Sequence, residues 1–173
     1  LIANLIGEKE VYGANGFSLV KSIDKGVSWV VEAALPDNIK DIAIDHIKNR
    51  LYIVTSGDRL FIRESGKLTE ITSRIPIDQY NNRAIQTVAF DPADPRIVYT
   101  AGGRSVYKTD ASVKRSLDSG ETWEIITPNN RTNKGVDPGD GANEVFAIRV
   151  NPKTGDLWAA GGCNEVWKAV TVK

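Results

Sequence analysis

Two carboxylates occur in the same local setting. Ser22-Ile23-Asp24-Lys25-Gly26-Val27-Ser28-Trp29 and Ser116-Leu117-Asp118-Ser119-Gly120-Glu121-Thr122-Trp123 both read S-x-D-x-G-x-[S/T]-W. Paired acids, each close to a Trp, suggest a candidate active site in which carboxyl groups pass protons to and from a substrate. The same residues also suit a turn. An Asp in a tight turn accepts N–H bonds from its own backbone. Gly26 or Gly120 takes the positive-φ position, and Ser28 or Thr122 opens the next strand. Trp29 or Trp123 then lays its ring between neighbouring repeat units, contributing on the order of 2–3 kcal/mol. The structural reading is preferred for Ser22, Asp24, Gly26, Trp29, Ser116, Asp118, Gly120 and Trp123.

A second set of polar side chains lies in longer segments. These are Arg74, Asp78, Tyr80 and Asn82 in 73–83, Asn130, Arg131 and Asp140 in 128–142, and Arg104 in a short turn. Amide, guanidinium and carboxylate groups suit a hydroxyl-rich ligand, and Tyr80 offers a ring for a sugar to stack on. This set forms the candidate ligand-binding surface. Asp137-Pro138-Gly139-Asp140-Gly141 carries oxygen ligands but lacks the alternating spacing of a calcium loop. No metal site and no cofactor are therefore expected. His46 holds the turn position that Pro92 and Pro152 fill elsewhere, and Cys163 has no His/Asp setting for nucleophilic work.

The elements that position these residues repeat. The two motifs are about 94 residues apart, or two units of a ~47-residue repeat. Four units align, each a meander of strands A to D. Strand A is Ile42–His46, Val88–Pro92 or Ile148–Pro152, each closing on Asp or Asn and a turn residue. Strand B is Val11–Gly13, Leu51–Thr55, Ile97–Ala101 or Leu157–Ala160. Strand C is Leu19–Lys21, Leu60–Arg63, Val106–Lys108 or Val166–Lys168, closed by a basic residue in every unit. The motif follows, then strand D as Trp29–Glu32, Leu68–Thr72 or Trp123–Thr127. The second unit keeps only a degraded turn, Glu64-Ser65-Gly66-Lys67, and 111–115 reads as an insertion before the third unit's motif. β-Branched and aromatic runs bounded by turn signals are strands, and four-stranded repeats at this spacing predict an all-β, β-propeller fold. A sandwich is the alternative. The blades are expected at 1–33, 39–73, 84–127 and 143–173 of a single propeller segment spanning 1–173.

Strand alternation then sorts the connections. A–B and C–D turns share one face, and B–C turns share the other with the D–A links. The motif turns thus lie opposite the long polar links. Loops of that length often carry function.

Among 173 residues, 22 basic side chains balance 22 acidic ones, which removes the electrostatic reason for a nucleic-acid or anionic-membrane partner. No apolar run reaches the ~18 residues of a membrane span. Cys163 is alone, so a disulfide scaffold is excluded. With Leu1 first and no Met anywhere, the chain is expected to be processed or part of a longer one. Four units do not obviously close a ring. Leu1–Ile6 serves either as the first unit's strand A or as strand D of a final blade. A fragment of a larger propeller is favoured over a small closed ring or completion by a second copy.

The motif resembles the Asp-box, or BNR repeat, of sialidases, xyloglucan hydrolases and sortilin-type receptors. The run A-F-D-P-x-D-P-x-I-V-Y-x-A-G-G at 89–103 looks like blades of the xyloglucan-hydrolase and photosystem-assembly-factor groups. The resemblance covers roughly residues 8–173. It implies a non-catalytic propeller module that binds a glycan or protein through the D–A face. The alternatives are a fragment of a secreted glycoside hydrolase, or an assembly-factor or receptor propeller that binds protein. It also implies an extracellular or cell-envelope location. Arg74-Ile75-Pro76 resembles the R-I-P of sialidases but follows a motif instead of preceding one, which disfavours that role. No catalytic constellation is identifiable, and an enzyme built on this chain would be a glycoside hydrolase.

Overall fold

A computed structural model of the chain describes residues 3–6, 10–45, 47–77, 83, 85–103, 112–126, 145–161 and 166–169. It divides into two compact units, Leu1–Thr72 and Ser73–Lys173.

The first unit holds two four-stranded antiparallel meanders. One runs β1 (Ala3–Ile6), β2 (Glu10–Asn15), β3 (Ser18–Ser22), β4 (Val30–Ala34). The other runs β5 (Ile39–Asp45), β6 (Arg50–Thr55), β7 (Arg59–Glu64), β8 (Lys67–Glu70), with strands adjacent in chain order. Side chains two apart share a face of a strand. Tyr12, Ala14 and Leu19 of the first sheet therefore pack together against Ile42, Ile44, Leu51, Ile53 and Phe61 of the second. The first strands of the two sheets, β1 and β5, lie against each other.

The second unit repeats the plan with β9 (Thr87–Phe90), β10 (Val98–Gly102), β11 (Ser112–Ser116) and β12 (Glu124–Ile125). Its other sheet is β13 (Val145–Val150), β14 (Leu157–Gly161) and β15 (Val166–Ala169), three-stranded among the described residues. Ala89, Tyr99, Ala101 and Val113 pack on Val145, Ile148, Leu157 and Ala159, and β9 lies against β13.

Strand A stops where the sequence predicts. Asp45, Asp91 and Asn151 each accept the N–H of the residue two further on, at 2.9, 2.8 and 2.9 Å. Two expectations are corrected. Residues 3–6 pair antiparallel with β2 at the edge of the first sheet, so they form its strand A and not strand D of a final blade. In the third sheet, the strand beside β10 is Ser112–Ser116 and not Val106–Lys108, which lies outside the described residues. The stretch 111–115 is thus mostly strand C itself and not an insertion. The reason is register: the motif Ser closes strand C, as Ser22 closes β3 and Ser116 closes β11. The degraded second turn is a two-residue hairpin in which Ser65 and Gly66 take φ of 50° and 79°, the backbone that twisted hairpins favour.

Candidate functional site

The two motif turns fold alike. Ser22 Oγ donates to Asp24 Oδ1 at 2.7 Å and accepts the Gly26 N–H at 2.8 Å. Asp24 Oδ1 accepts the Ser28 N–H at 2.8 Å, and Oδ2 accepts the Ser28 hydroxyl at 2.6 Å. In the second copy, Ser116, Asp118, Gly120 and Thr122 repeat these bonds at 2.8, 2.8, 2.8 and 2.5 Å. The chain reverses through two left-handed residues, Lys25 (φ 62°) with Gly26 (φ 92°), and Ser119 (φ 63°) with Gly120 (φ 90°). The indole N–H of each Trp donates to the carbonyl of the motif Gly, at 3.0 and 3.1 Å. Both rings are half-buried and seated on their own turn.

These bonds fix the chemistry of the acids. The Ser28 hydroxyl and N–H, then Ser22, hold Asp24 down at about 2. The Thr122 hydroxyl and N–H, with Ser116 and the Glu121 N–H, hold Asp118 at about 2. A general acid needs its carboxyl kept protonated near neutral pH. These two are locked ionised by their own loops, the opposite condition. The motif turn also ties the sheet end together, since the Ser119 N–H donates to Arg96 O in the A–B turn at 2.8 Å.

The other sheet end is built from B–C turns and D–A links. In the first unit, Leu35 and Ile39 of the link donate to Phe17 O and Gly16 O at 2.9 Å each, and Ser56 donates to Asn38 O at 2.8 Å. Asp37 lies directly over Gly57, where a Cβ would come within 2.4 Å of its carboxylate. That carboxylate accepts the Thr55 hydroxyl at 3.3 Å and faces Arg59 Nε at 3.4 Å, while Arg59 Nη1 reaches Glu70 at 3.7 Å. In the second unit, Gln86 donates from its backbone to Ala101 O at 2.8 Å and from its side chain to Gly103 O at 2.7 Å. Links and B–C turns thus share an end, and the motif turns are at the other.

Of the predicted ligand-binding residues, Arg74 is described. Its guanidinium donates to Gly120 O at 3.2 Å and pairs with Glu121 at 3.0 Å, so the start of the second D–A link reaches the third sheet's motif turn. Asp78, Tyr80, Asn82, Arg104, Asn130, Arg131 and Asp140 lie outside the described residues, as do His46, Cys163 and 137–141. The sequence reading passed over Asp37, Arg59 and Gln86. Asp37 stands in the first D–A link, and Gly57 in the facing turn was the available signal for a close approach. Among the described residues, no cluster of three or more His, Cys, Asp or Glu side chains could hold a metal ion, and no helix is long and apolar enough to cross a membrane.

No protein-family profile matches the chain. It is 40% identical over 100 residues to the xyloglucanase Xgh74A of Acetivibrio thermocellus, covering 54% of this chain. It is 29% identical over 115 residues to a xyloglucanase of a Paenibacillus species, covering 58% of this chain. The chain spans 11% of the length of each of these relatives. In fold it resembles the GH74 xyloglucanase of Xanthomonas campestris, with a TM-score of 0.73 and 20% identity, over 95% of this chain and 26% of that one. It also resembles YCF48 bound to D1 peptide, with a TM-score of 0.55 and 12% identity, over 97% of this chain and 62% of that one. The fold is therefore all-β, built from antiparallel meander sheets of the kind found in β-propellers, and over most of its length the chain resembles the blades of GH74 xyloglucanase propellers.

Proposed function

We propose that this chain is a propeller segment of a xyloglucan-acting glycoside hydrolase, and that its D–A rim forms part of the surface on which the polysaccharide lies. The observation that carries the reading is the 40% identity to a xyloglucanase over 100 residues. The motif turns serve as clasps, and the acids of hydrolysis are supplied mainly from outside this segment. The rim contributes Asp37, Arg59 and Gln86, together with Asp78, Tyr80, Asn82, Arg104, Asn130, Arg131 and Asp140 from the segments the sequence singles out. An extracellular or cell-envelope setting suits such a substrate. The blades are assigned as 1–33, 39–73, 84–127 and 143–173.

A larger propeller is supported by one surface. Tyr12 and Tyr99 are 1% exposed, each beneath the following sheet of its own unit, whereas Trp158, at the matching position of β14, is 41% exposed. Lys168 lies over its ring at 5.8 Å, as Lys21 lies over Tyr12 at 5.5 Å. Over Tyr12, however, the following sheet adds Arg63 at 5.7 Å. A further blade would complete the arrangement at Trp158.

The test is a panel of plant polysaccharides assayed for binding by this chain and for cleavage by the complete protein that carries it. Xyloglucan binding by the chain and xyloglucan cleavage by the complete protein are expected. Failure of both would overturn the reading. Peptide capture in their place would favour a second one, for which the exposed Ile23, Val27, Val30 and Val31 of the first motif turn and β4 form a surface of the right kind.

A further inference from the structure

Phe17 is the tip of the hairpin that joins β2 to β3. Asn15 pairs with Ser18 across it, so the turn has two residues, and Gly16 supplies a positive φ of 59°, as such hairpins require. Phe17 is 54% exposed. A single exposed apolar side chain is ordinary, and exposure alone assigns it nothing. Its surroundings do. The Phe17 carbonyl accepts the Leu35 N–H and the Gly16 carbonyl accepts the Ile39 N–H, at 2.9 Å each. The backbone beneath the ring is thus bolted to the first D–A link, while the ring itself stays in solvent. The corresponding hairpin of the second sheet, Ser56-Gly57-Asp58, carries no aromatic residue.

The same link sets polar groups beside the ring. A Cβ on Gly16 would stand 3.5 Å from Asn38 Oδ1, so the Asn38 side chain borders the hairpin tip. Asp37 follows over Gly57. Arg59 stands between Asp37 and Glu70 with its side chain 42% exposed. A guanidinium has five N–H donors, more than these two carboxylate contacts take up. Phe17, Asn38, Asp37, Arg59 and Glu70 all belong to the first compact unit. Bonds from link to hairpin on one side, and from Ser56 N to Asn38 O at 2.8 Å on the other, hold them as one strip.

We propose that Phe17 is the stacking platform of a sugar subsite, with Asn38, Asp37 and Arg59 binding the hydroxyls, and that the unit it takes is a glucose of a β-glucan backbone. The proposal rests on the D–A rim being the ligand-facing surface. A pyranose with equatorial hydroxyls shows an apolar C–H face to a ring and a hydroxyl edge to its neighbours. An apolar surface with a few placed polar groups is what such a ligand requires. Amide, carboxylate and guanidinium groups each engage hydroxyls in a fixed plane. The bolted backbone means that little ordering cost falls on binding.

The experiment titrates this chain with a xyloglucan oligosaccharide and, separately, with an unbranched cello-oligosaccharide, following backbone amides and affinity in wild type, Phe17→Ala and Phe17→Trp. Both sugars should shift Gly16, Phe17, Asn38 and Gly57. Phe17→Ala should lower affinity for both about tenfold with Tm unchanged, since the ring is outside the core, and Phe17→Trp should restore it. Wild-type binding that Phe17→Ala leaves intact would overturn the platform and leave the proposed function standing. Phe17-dependent binding of the cello-oligosaccharide with none of xyloglucan would uphold the platform and overturn the proposed function. Binding of neither sugar would overturn the platform, and cleavage of xyloglucan by the complete protein would then still uphold the hydrolase reading.

Discussion

Asp24 and Asp118 show how a residue's type suggests chemistry that its neighbours then forbid. Each carboxylate is saturated by donors from its own turn, and each is held at about 2, below the ordinary value of 3.8 that it regains on unfolding. A lowered folded pKa means the unfolded chain takes up protons first as the pH falls. The stabilisation is therefore complete above about 4 and is lost as pH drops through about 2. Urea unfolding at pH 5, 3.5 and 2.5 should show stability declining across that window, and replacing both acids with Asn should flatten the decline. The left-handed Lys25 makes a second prediction. A side chain at φ 62° is strained by its Cβ, so Lys25→Gly should stabilise the chain by about 0.5–1 kcal/mol, read as a raised Tm. The Asp and Gly roles were legible in the motif. The left-handed Lys and Ser were not, because neither residue type announces that backbone.

The sheet is the next scale, and the second one shows how the fold manages without a motif turn. Arg50 and Glu64 face each other across β6 and β7; Arg50 Nη2 donates to both carboxylate oxygens of Glu64 at 2.9 and 2.8 Å, and Nη1 lies 3.4 Å from the Tyr52 hydroxyl. This pair clamps the end of the sheet that Ser22–Trp29 closes in the first one. Glu64→Gln should cost about 1–3 kcal/mol by removing the charge-assisted bonds of a half-buried Arg, measured by chemical denaturation. At the opposite end, Gly57→Ala should push the Asp37 carboxylate off its seat, because the added Cβ falls 2.4 Å from it. The check is loss of the Asp37 bonds to Thr55 and Arg59 in a structure of the variant. Strand positions were legible from β-branched runs and from the Asp or Asn that closes strand A. The third sheet's strand C was hidden for a physical reason. Lys114-Arg115 reads as a solvated charge pair, yet Lys114 is buried and Arg115 pairs with Glu124 at 2.6 Å, so the apolar alternation that marks a strand is broken where the strand runs.

Across the whole molecule, one aromatic position recurs on the second strand of every sheet, and within each unit the first sheet's copy, Tyr12 or Tyr99, is buried among residues of the sheet that follows it. Tyr99→Ala should cost about 3–5 kcal/mol, as large core truncations do, whereas Trp158→Ala should change the unfolding midpoint of this chain little. Similar losses from both would argue against an uncovered fourth sheet. The repeat made the propeller legible and directed attention to the rim opposite the motif. The ligand itself was not legible, because sugar recognition depends on how polar side chains converge from several links, and sequence spacing does not encode that convergence. The central claim is a division of labour between the two sheet ends, and backbone amide mapping during titration with xyloglucan oligosaccharide tests it most directly. Perturbation should gather at Asp37, Asn38, Gly57, Gln86 and Gly103, with the turns 22–29 and 116–123 unmoved. Perturbation confined to those motif turns would contradict the account.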